Sequence, residues 1–433
     1  MNLLFANDRR GEYPPSYYAA TAVPPGPWPA AEGRLRADVA VVGGGYTGLS
    51  AAIHLVARGY DVILLEAQRM GFGASGRNGG QMGSGQRQEQ DVLEARHGRE
   101  DARRLWDLAE EAKRLTRRLA EAGGVPVHPG IAHACETAAE LRHSHAMAEK
   151  LARDYAYPHV EPLDRAGIRR LIGSDRFIGG DIDRGAGHLH PLAYAFGLAR
   201  QADRLGVRLH EGTQVTAIHP GRRVRLTCET GAEVEADHLI LACNGYLGGL
   251  DRRVAARVMP INNYIVATEP LGDRAKEILS ENVAVADGRF VVDYWRLSDD
   301  GRLLFGGGET LGYRFPQDIA AVVRKPMLRI YPQLADVRID HAWGGTLAIT
   351  LSRMPYFRRL EGNVLTACGY SGHGVAMATL AGQLLAEATA GAAERFDLMA
   401  RLPAAAFPGG PMMRQPLLVL AMAWYGLRDR LGI

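Results

Sequence analysis

The sequence contains few cysteines and no strong imbalance of charge. Its 433 residues include four cysteines, which form no C-x-x-C pair: Cys135, Cys228, Cys243 and Cys368. This scattering excludes a disulfide framework and a thiolate metal site, and it predicts a cytoplasmic protein. The formal net charge of +3, from 51 basic and 48 acidic residues, indicates neither nucleic acid nor an anionic surface as a partner.

Long apolar segments are also missing. The N-terminal stretch lacks the apolar core of a signal peptide, and its proline, glycine and tyrosine content predicts an arm, residues 1–35, that lies over a folded domain. The most apolar run, residues 416–427, is shorter than the roughly 20 residues that cross a bilayer. No transmembrane segment is therefore predicted. Residues 396–433 are expected to form a tail helix docked on the protein, with contact to a membrane interface as the alternative.

A strand–helix–strand unit near the N-terminus is the clearest structural pattern in the sequence. Small and β-branched residues predict a buried strand over Asp38–Val42, and a helix follows to about Arg58, where Gly59 ends it. A second apolar strand is predicted over Tyr60–Leu65. This order of elements predicts a βαβ unit in a parallel sheet.

The turn between the first strand and the helix has dinucleotide-binding spacing. Gly43 permits a tight turn, Gly45 lets a pyrophosphate approach the backbone, and Gly48 lets the helix pack closely on the strand. The helix N-terminus offers N–H groups and a positive dipole end to phosphates. Glu66, 23 residues after Gly43, closes the second strand, where a carboxylate accepts hydrogen bonds from ribose hydroxyls. A bound dinucleotide is predicted; the alternative is a glycine-rich turn without a ligand.

A second glycine-rich stretch, residues 69–80, follows the acid directly. Such a backbone can pass close to a flat ligand and direct N–H groups at it. The stretch is similar to the flavin-contacting segment of D-amino-acid-oxidase-like FAD-dependent oxidoreductases, which favours FAD over NAD. A long flexible loop is the alternative.

The remaining elements predict two discontinuous domains. Residues 88–122 form an amphipathic helical pattern, and strand-like runs occur at Tyr264–Thr268, Phe290–Tyr294 and Arg302–Phe305. The predicted FAD-binding domain comprises residues 36–90, 190–250 and 338–395. The predicted substrate domain, with an antiparallel sheet, comprises residues 91–189 and 251–337.

A third glycine turn follows a strand predicted over residues 363–368. The turn Gly369-Tyr370-Ser371-Gly372-His373-Gly374 leads into a helix to about Ala390, so helix N–H groups again lie beside a ligand. Ser371 is not a hydrolase nucleophile, because the G-x-S-x-G spacing is missing. The sequence has no second GxGxxG motif placed between a predicted strand and a predicted helix, which predicts one flavin and no nicotinamide site.

Several segments together resemble the gamma-glutamylputrescine oxidoreductases, a branch of the D-amino-acid-oxidase-like flavoenzymes. The resemblance covers nearly the whole chain, from about residue 7. The segments are SYYAAT at 16–21, VVGGGYTGLSAA at 41–52, GFGASGRNGGQ at 71–81, GHLHP at 187–191, LSRMP at 351–355, GYSGHGV at 369–375 and the tail RLPAAAFPGG with YGLRDRLG.

The resemblance implies an α/β fold: a Rossmann-like FAD-binding domain with a discontinuous antiparallel-sheet substrate domain of α+β type. It implies oxidative deamination of the primary amine of gamma-glutamylputrescine, with oxygen or another electron acceptor. The residues that it implies for contact with FAD are Gly43, Gly45, Tyr46, Thr47, Gly48, Glu66, Ala67, Gly73, Ala74, Ser75, Arg77, Asn78, Gly79, Gly80, Gln81, Val215, Gly245, Gly372, His373, Gly374 and Val375.

Two positions depart from the sarcosine-oxidase side of this superfamily. Gly345 stands where those enzymes carry the cysteine that binds the flavin covalently, so non-covalent FAD is expected. Ala376 stands where they carry a lysine that handles the substrate carboxylate. Its absence disfavours a small α-amino acid and favours an amine whose reacting carbon bears no carboxylate.

Three residues are candidates for the catalytic site. His373 is a candidate base, or alternatively it fixes the glycine turn or contacts the flavin through its ring. Tyr294 and Trp295 form an aromatic cluster that either covers the flavin or packs in the core. No metal site is predicted, because the pairs His188/His190 and His143/His145 lack a supporting motif. The alternative functions are a glycine, sarcosine or D-amino acid oxidase or dehydrogenase, and a flavin-binding protein without turnover.

Overall fold

The computed structural model describes residues 2–289, 291–309, 312–409 and 416. Within these residues the α-helices are α1 (Tyr17–Thr21), α2 (Tyr46–Val56), α3 (Gln90–Ala122), α4 (Ala138–Tyr155), α5 (Arg165–Ile172), α6 (Pro191–Arg204), α7 (Arg252–Ala255), α8 (Arg274–Ile278), α9 (Ile319–Ile330), α10 (Gly374–Thr389) and α11 (Glu394–Ala400).

The strands of the same residues form two sheets. They are β1 (Arg34–Val42), β2 (Val62–Leu65), β3 (Gln81–Met82), β4 (Val127–Cys135), β5 (Val160–Leu163), β6 (Gly179–Leu189), β7 (Arg208–His210), β8 (Val215–His219), β9 (Val224–Cys228), β10 (Glu233–Leu241), β11 (Met259–Thr268), β12 (Ala284–Asp287), β13 (Tyr294–Leu297), β14 (Leu303–Glu309), β15 (Ile339–Ile349), β16 (Tyr356–Glu361) and β17 (Val364–Cys368).

The first sheet has the order β16-β17-β10-β1-β2-β7, with the β8–β9 ribbon attached to β10. The pairs β17–β10, β10–β1, β1–β2 and β2–β7 are parallel. The apolar, β-branched composition of β1 and β2 suits strands covered on both faces. The predicted βαβ unit is therefore confirmed, although α2 ends at Val56 and not at about Arg58.

Helices α2, α3, α6 and α10 share one hydrophobic core with the first sheet. Gly382 of α10 crosses α2 so closely that a Cβ there would lie 2.5 Å from the Thr47 carbonyl oxygen. The leucines of α3 pack in this core; Leu105 is fully buried. The prediction placed residues 91–122 in the substrate domain; in the structure α3 packs mainly on α10 and α6, and it also contacts β4 of the second sheet.

The second sheet has the order β15-β11-β14-β13-β12-β4-β6-β3, with β5 paired to β6. Its neighbours are antiparallel except for β12 and β4. Two strands differ from the predicted boundaries, because β3 and β15 belong to this sheet and not to the first. The strand predicted over residues 290–294 lies instead at Tyr294–Leu297, since the backbone N–H of Asp293 bonds the Asp287 carboxylate and closes a turn there.

The N-terminal arm lies over both sheets and includes α1, a short helix that the sequence did not predict. Ser16 caps α1 by accepting the Ala19 N–H, and the fully buried Tyr18 packs edge-on against Trp343 of β15. The tail beyond residue 409, including its apolar run and its arginines, lies outside the described residues apart from Pro416. None of the helices that the structure describes has both the length and the apolarity that a membrane span requires.

Asp287, at the end of β12, carries a carboxyl group whose ionisation is disfavoured. Its Oδ1 accepts the Asp293 N–H at 2.9 Å, while its buried Oδ2 has no hydrogen bond and lies 3.6 Å from Arg289 Nε. Burial, and then the neighbouring Asp293, raise the pKa of Asp287 to about 7. Because the folded-state pKa of Asp287 is raised, its contribution to the free energy of unfolding is fully present below the unfolded-state pKa. That contribution is lost as the pH rises through about 7.

Replacing Asp287 with Asn removes this ionisation while keeping the Oδ1 acceptor. The unfolding free energy of Asp287→Asn minus that of wild type should increase by about 2 kcal/mol as the pH is raised from 5 to 8. Thermal unfolding across that range measures the gain. Asp299→Asn, whose side chain is 78% exposed, serves as the control. Parallel stability profiles of wild type and Asp287→Asn would contradict the assignment.

Candidate functional site

The carboxyl ends of four parallel strands meet at one edge of the first sheet. Gly43 follows β1, Glu66 follows β2, Ala242 follows β10 and Gly369 follows β17, with Val42 in register with both Leu65 and Leu241. Ligands of open α/β sheets bind outside this edge. Helices α2 and α10 both begin there, so two positive helix ends point into the same region.

The first glycine turn has the geometry that its spacing predicts. Gly43 has φ +111°, and a Cβ on it would lie 2.7 Å from the Ala242 carbonyl oxygen. A Cβ on Gly48 would lie 1.9 Å from the Gly43 carbonyl oxygen, so only glycine lets α2 contact β1 here. Gly45 caps α2 without a side-chain bond. Tyr46 and Thr47 open the helix, as predicted.

Glu66 binds the backbone of that turn. Its Oε2 accepts the Gly44 N–H at 2.7 Å and its Oε1 accepts the Gln68 N–H at 2.8 Å. Burial raises the pKa of Glu66 to about 6, against the effect of these bonds. Each carboxylate oxygen keeps further acceptor capacity, so the group can also accept ribose hydroxyls. Ala67 follows directly.

The segment that leads into β8 contacts the backbone of Glu66. The Thr213 N–H donates to the Glu66 carbonyl oxygen at 2.8 Å, and Val215 begins β8 two residues later. The structure therefore brings Thr213, two residues before Val215, to the end of β2, although the two segments are distant in sequence. Because β2 and β7 are parallel, the chain leaves both strands at the same edge of the sheet, and the residues after β7 meet Glu66 there.

The second glycine-rich stretch folds back onto the start of α2. Ser75 Oγ accepts the Tyr46 N–H at 3.0 Å, within the 3₁₀ turn Ala74–Gly76 that follows Gly73. Asn78 donates to the carbonyl oxygens of Ala74 and Ser75, and its Oδ1 accepts the Gly80 N–H at 2.8 Å. The stretch is thus an ordered loop along the ligand edge and not a flexible one.

Arg77 joins this loop to the N-terminal arm and to the second sheet. Its Nη1 lies 3.0 Å from both carboxylate oxygens of Asp8 and 3.2 Å from the Gly344 carbonyl oxygen. Its Nε donates to the Phe72 carbonyl oxygen, and Nη2 is buried without a hydrogen-bond partner. A Cβ on Gly345 would lie 3.1 Å from the Arg77 Cβ, so this arginine covers the position of the missing cysteine.

Tyr294 lies against the end of the loop. A Cβ on Gly79 would lie 2.6 Å from its ring, and its hydroxyl donates to Asn263 Oδ1 at 2.7 Å. Gln81 crosses the sheet face to donate to the Val285 carbonyl oxygen at 2.9 Å. Tyr294 therefore belongs to the candidate site.

Trp295, its neighbour in β13, points to the other face of the sheet. Its ring is 1% exposed and stacks on Phe305 with ring centroids 5.6 Å apart. Alternation along a strand explains the difference, because adjacent residues face opposite sides. The packing alternative fits Trp295, and the geometry gives no support to a catalytic role for it.

His373 lies in the third turn, and its ring is held by a hydrogen bond. His373 Nε2 lies 2.9 Å from the Gly85 carbonyl oxygen, so Nε2 carries the proton and Nδ1 is the acceptor in the neutral ring. Burial, and then the charge of Arg87, lower the pKa of His373 to about 4. Such an imidazole is a weak base near neutral pH. The geometry therefore fits a His373 that fixes the glycine turn better than a His373 that acts as a base.

The neighbours of His373 leave room for a ligand. Gly372 has φ +90°, is exposed, and has no atom within 4 Å of an added Cβ. Gly374 and Val375 begin α10, while Ala376 is buried in the core. Thr47 Oγ1 bonds the Tyr370 hydroxyl at 2.7 Å, which ties the two helix N-termini together.

The sequence did not predict three polar residues that shape this edge. Asn244, at φ +46°, accepts the Gly369 N–H with Oδ1 at 2.9 Å and thereby brings Gly245 beside the third turn. Tyr370 joins α2 as described. Arg87 donates to the Ser371 carbonyl oxygen at 3.2 Å. These contacts link segments far apart in the chain, so no local pattern marks them.

The histidine pairs have structural roles. His190 caps α6 by accepting the Ala193 N–H, and His188 Nε2 lies 3.3 Å from the Asn282 carbonyl oxygen. One exposed group in the described residues, Glu89, Asp91 and His143, holds ligand-type atoms within 4.8 Å of one another. Exposed carboxylates often cluster without binding an ion, and the group supports no metal assignment.

The arrangement fits a bound FAD. Two helix N-termini face the same edge, a carboxylate lies at the ribose position, and open space adjoins Gly372 between ordered turns. Helix ends satisfy phosphates and the polar edge of the flavin, and an ordered loop supports its plane. The residues present therefore match the cofactor that the sequence predicts.

Replacing Glu66 tests the ribose assignment. Glu66→Ala should weaken FAD binding by roughly 1.5–3 kcal/mol, about ten- to a hundredfold, because hydrogen bonds to a charged group are lost. The holoprotein should also melt at a lower temperature, since FAD stabilises only the folded state. Titration of apoprotein with FAD measures the affinity, with Glu235→Gln on the exposed face of β10 as control. Unchanged affinity would show that Glu66 does not hold the ribose.

Comparison with known proteins agrees with this geometry. Residues 38–388 match the family model "FAD dependent oxidoreductase" (DAO). The chain is 45% identical to the probable oxidoreductase OrdL of Rhizobium meliloti (strain 1021), over 96% of this chain and 97% of that protein. It is 41% identical to gamma-glutamylputrescine oxidoreductase of Escherichia coli (strain K12), over 98% and 100% of the two chains.

Solved structures show the same fold. Glycine oxidase from Geobacillus kaustophilus aligns with a TM-score of 0.69 at 22% identity, covering 86% of this chain and 97% of that chain. L-amino acid deaminase from Proteus vulgaris aligns with a TM-score of 0.69 at 15% identity, covering 86% and 99%. The predicted α/β architecture and the FAD cofactor are confirmed. With its glycine turns, acidic strand end and second sheet in place, the chain belongs to the DAO family of FAD-dependent oxidoreductases.

Proposed function

We propose that this protein is an FAD-dependent amine oxidoreductase that oxidatively deaminates gamma-glutamylputrescine in putrescine catabolism. The primary amine, water and oxygen become the gamma-glutamyl aminobutyraldehyde, ammonia and hydrogen peroxide. The observation that carries the proposal is the 41% identity, over essentially both full lengths, to the gamma-glutamylputrescine oxidoreductase of Escherichia coli. The fold alone does not distinguish this reaction from those of amino acid oxidases.

The chain's own residues would bind the cofactor and orient the substrate. The α2 N-terminus and Glu66 would hold the dinucleotide, and the loop of Gly73–Gln81 would support the flavin ring. The α10 N-terminus, set by His373, would place its positive end at the polar edge of the flavin. When bound, FAD would supply the two-electron oxidant for the carbon that bears the amine.

Tyr294 and His373 are the residues that we propose for the substrate side. The Tyr294 hydroxyl, fixed by Asn263, lies beside the loop at Gly79 and would orient the amine. His373 remains neutral at physiological pH because its pKa is lowered, so it adds no positive charge that would repel an amine. Hydride transfer requires a neutral amine, and a buried, uncharged wall favours that form.

Ala376 supports an amine substrate in preference to a small amino acid. It is 3% exposed and belongs to the apolar core beside the third turn. A carboxylate on the reacting carbon would find no cation at this position. Oxygen is the acceptor that we propose. A cytoplasmic location is part of the same proposal, supported by four free cysteines.

A panel of four compounds tests the function. We expect kcat/KM to fall in the order gamma-glutamylputrescine, putrescine, then glycine or sarcosine, with at least a tenfold difference between the first and the last, about 1.4 kcal/mol. Putrescine shares the reacting end but lacks the remote binding energy of the glutamyl head. Peroxide-coupled and dye-coupled assays measure the rates and separate oxygen from other acceptors. Faster turnover of glycine or sarcosine would overturn the proposal in favour of an amino acid oxidase.

The flavin should be released by acid precipitation of the yellow protein. Gly345 has no nucleophile, and burial raises the pKa of the Cys228 and Cys368 thiols to about 11 and about 12, so these thiols stay protonated. Absorbance of the supernatant and of the redissolved pellet measures the partition. Flavin that remains with the pellet, and with peptides after proteolysis, would show covalent attachment.

A further inference from the structure

His373 is held by a segment that belongs to neither a helix nor a strand. Residues 83–89 connect β3 to α3. The Gly85 carbonyl oxygen accepts the His373 Nε2–H at 2.9 Å, and a Cβ on Gly83 would lie 3.0 Å from His373 Cε1. The position of this segment therefore sets both the place and the tautomer of the imidazole ring.

The two neighbours of Gly85 tie this segment to α3. Gln86 Nε2 donates to the Leu105 carbonyl oxygen at 2.8 Å, and Ser84 Oγ accepts a hydrogen bond from the Lys113 ammonium group. Gly85 has φ +67°, a conformation that is one of several open to glycine. The side-chain bonds of its neighbours, and not a backbone preference, therefore fix the direction of the Gly85 carbonyl group.

Lys113 closes a ring of hydrogen bonds around Ser84. The Tyr157 hydroxyl donates to Asp183 Oδ1 at 2.7 Å, and the Ser84 hydroxyl donates to Asp183 Oδ2. Both hydroxyl hydrogens are thus used on one carboxylate, although the two hydroxyl oxygens lie only 2.8 Å apart. The Lys113 ammonium donates to both of these oxygens and so supplies the hydrogens that the pair lacks. The Lys113 cluster consists of Lys113, Ser84, Tyr157 and Asp183.

The Lys113 cluster is buried and each charged member is bonded. The Lys113 side chain is 4% exposed, and among the four lysines of the chain it is the one that the fold buries. Its Nζ lies 2.9 Å from a Glu110 carboxylate oxygen. Asp183 Oδ1 also accepts the N–H groups of Gly185 and Ala186, at 2.9 and 3.1 Å. Because a buried charge is tolerated only when it is paired and hydrogen-bonded, these groups have one arrangement.

We propose that Lys113 is a positioning residue for His373, acting through Ser84 and Gly85. This inference rests on the proposed function, which places His373 on the substrate side of the flavin. Lys113 holds the Ser84 side chain, the Ser84 residue directs the Gly85 peptide, and the Gly85 carbonyl oxygen holds the imidazole. His373 is also the N-cap residue of α10, so its place affects where the helix N–H groups meet the polar edge of the flavin. Lys113 itself touches neither substrate nor cofactor in this assignment.

Substitutions at Lys113 and Ser84 test the assignment. Lys113→Met keeps the length of the side chain and removes its charge and donors, and Ser84→Ala removes the hydroxyl group. Each should lower the limiting rate constant of anaerobic flavin reduction by gamma-glutamylputrescine at least fivefold, because a small misplacement at a reacting site is costly. Substrate affinity should stay within twofold of wild type. Each variant should also shift the flavin reduction potential, and Lys113→Arg, which keeps donors and charge, should recover part of both effects.

A second substitution at His373 separates positioning from general stability. In the His373→Ala background, Lys113→Met should change the reduction rate constant less than twofold and leave the potential unchanged, because the group through which it acts is gone. The melting temperature should still fall, since the buried cluster is disrupted in both backgrounds. Equal effects of Lys113→Met with and without His373 would overturn the assignment. A lowered melting temperature with unchanged rate constant and potential in Lys113→Met and Ser84→Ala would overturn it as well.

Lys150→Met is the matched control. Lys150 is a lysine of α4 whose side chain is 17% exposed, and it is paired with Glu94 at 2.7 Å and with Asp154 at 3.3 Å. Its replacement should lower the melting temperature and change neither the rate constant nor the potential. Oxidation of glycine in preference to gamma-glutamylputrescine would overturn the proposed function. The potentials of the single and double variants need no substrate, so they would still show whether Lys113 acts through His373.

Discussion

The close contact between α2 and β1 is the constraint on which the ligand edge depends. It exists because Gly48 has no side chain, so the Gly43 carbonyl oxygen can occupy the place of a Cβ. That contact sets the direction of the α2 N-terminus and holds Gly44 where Glu66 can accept its N–H. Gly382 lets α10 cross α2 in the same way. Two positive helix ends thereby face the same edge, where both would contribute to holding the anionic cofactor.

The second constraint is the connection of the flavin loop to both domains. Arg77 bonds Asp8 in the arm and Gly344 in the second sheet, so one buried cation joins three segments. A buried charge is tolerated only when it is paired and hydrogen-bonded. The N-terminal arm therefore helps to hold the flavin loop in position. Tyr294 and Arg296 add contacts from β13 to the same loop.

Electrostatics at the site follow from burial more than from charge pairs. Burial lowers the pKa of His373 and raises the pKa of Glu66, so each group is shifted toward its neutral form. A neutral His373 suits the proposed oxidation of an uncharged amine.

Local patterns were sufficient for much of the fold. The βαβ unit, the glycine turns, the Glu66 strand end and helix α10 were predictable, because periodicity, caps and glycine spacing act over a few residues. The strand at 294–297 was misplaced because the Asp287–Asp293 turn sets its start. Amphipathicity identified the buried face of α3 but not the helices α10 and α6 on which that face packs.

The sequence by itself determined the nucleotide-binding unit and the class of cofactor, because turn geometry and helix ends are encoded locally. Only the tertiary structure decided which residues share the site. It directed Trp295 into the core and Tyr294 to the loop, since strand alternation has meaning only once the sheet's faces are assigned. It brought Thr213 to the Glu66 backbone and Arg87 to the Ser371 carbonyl oxygen through contacts between segments far apart in the chain. Such contacts depend on how the layers pack, which no short stretch of sequence contains.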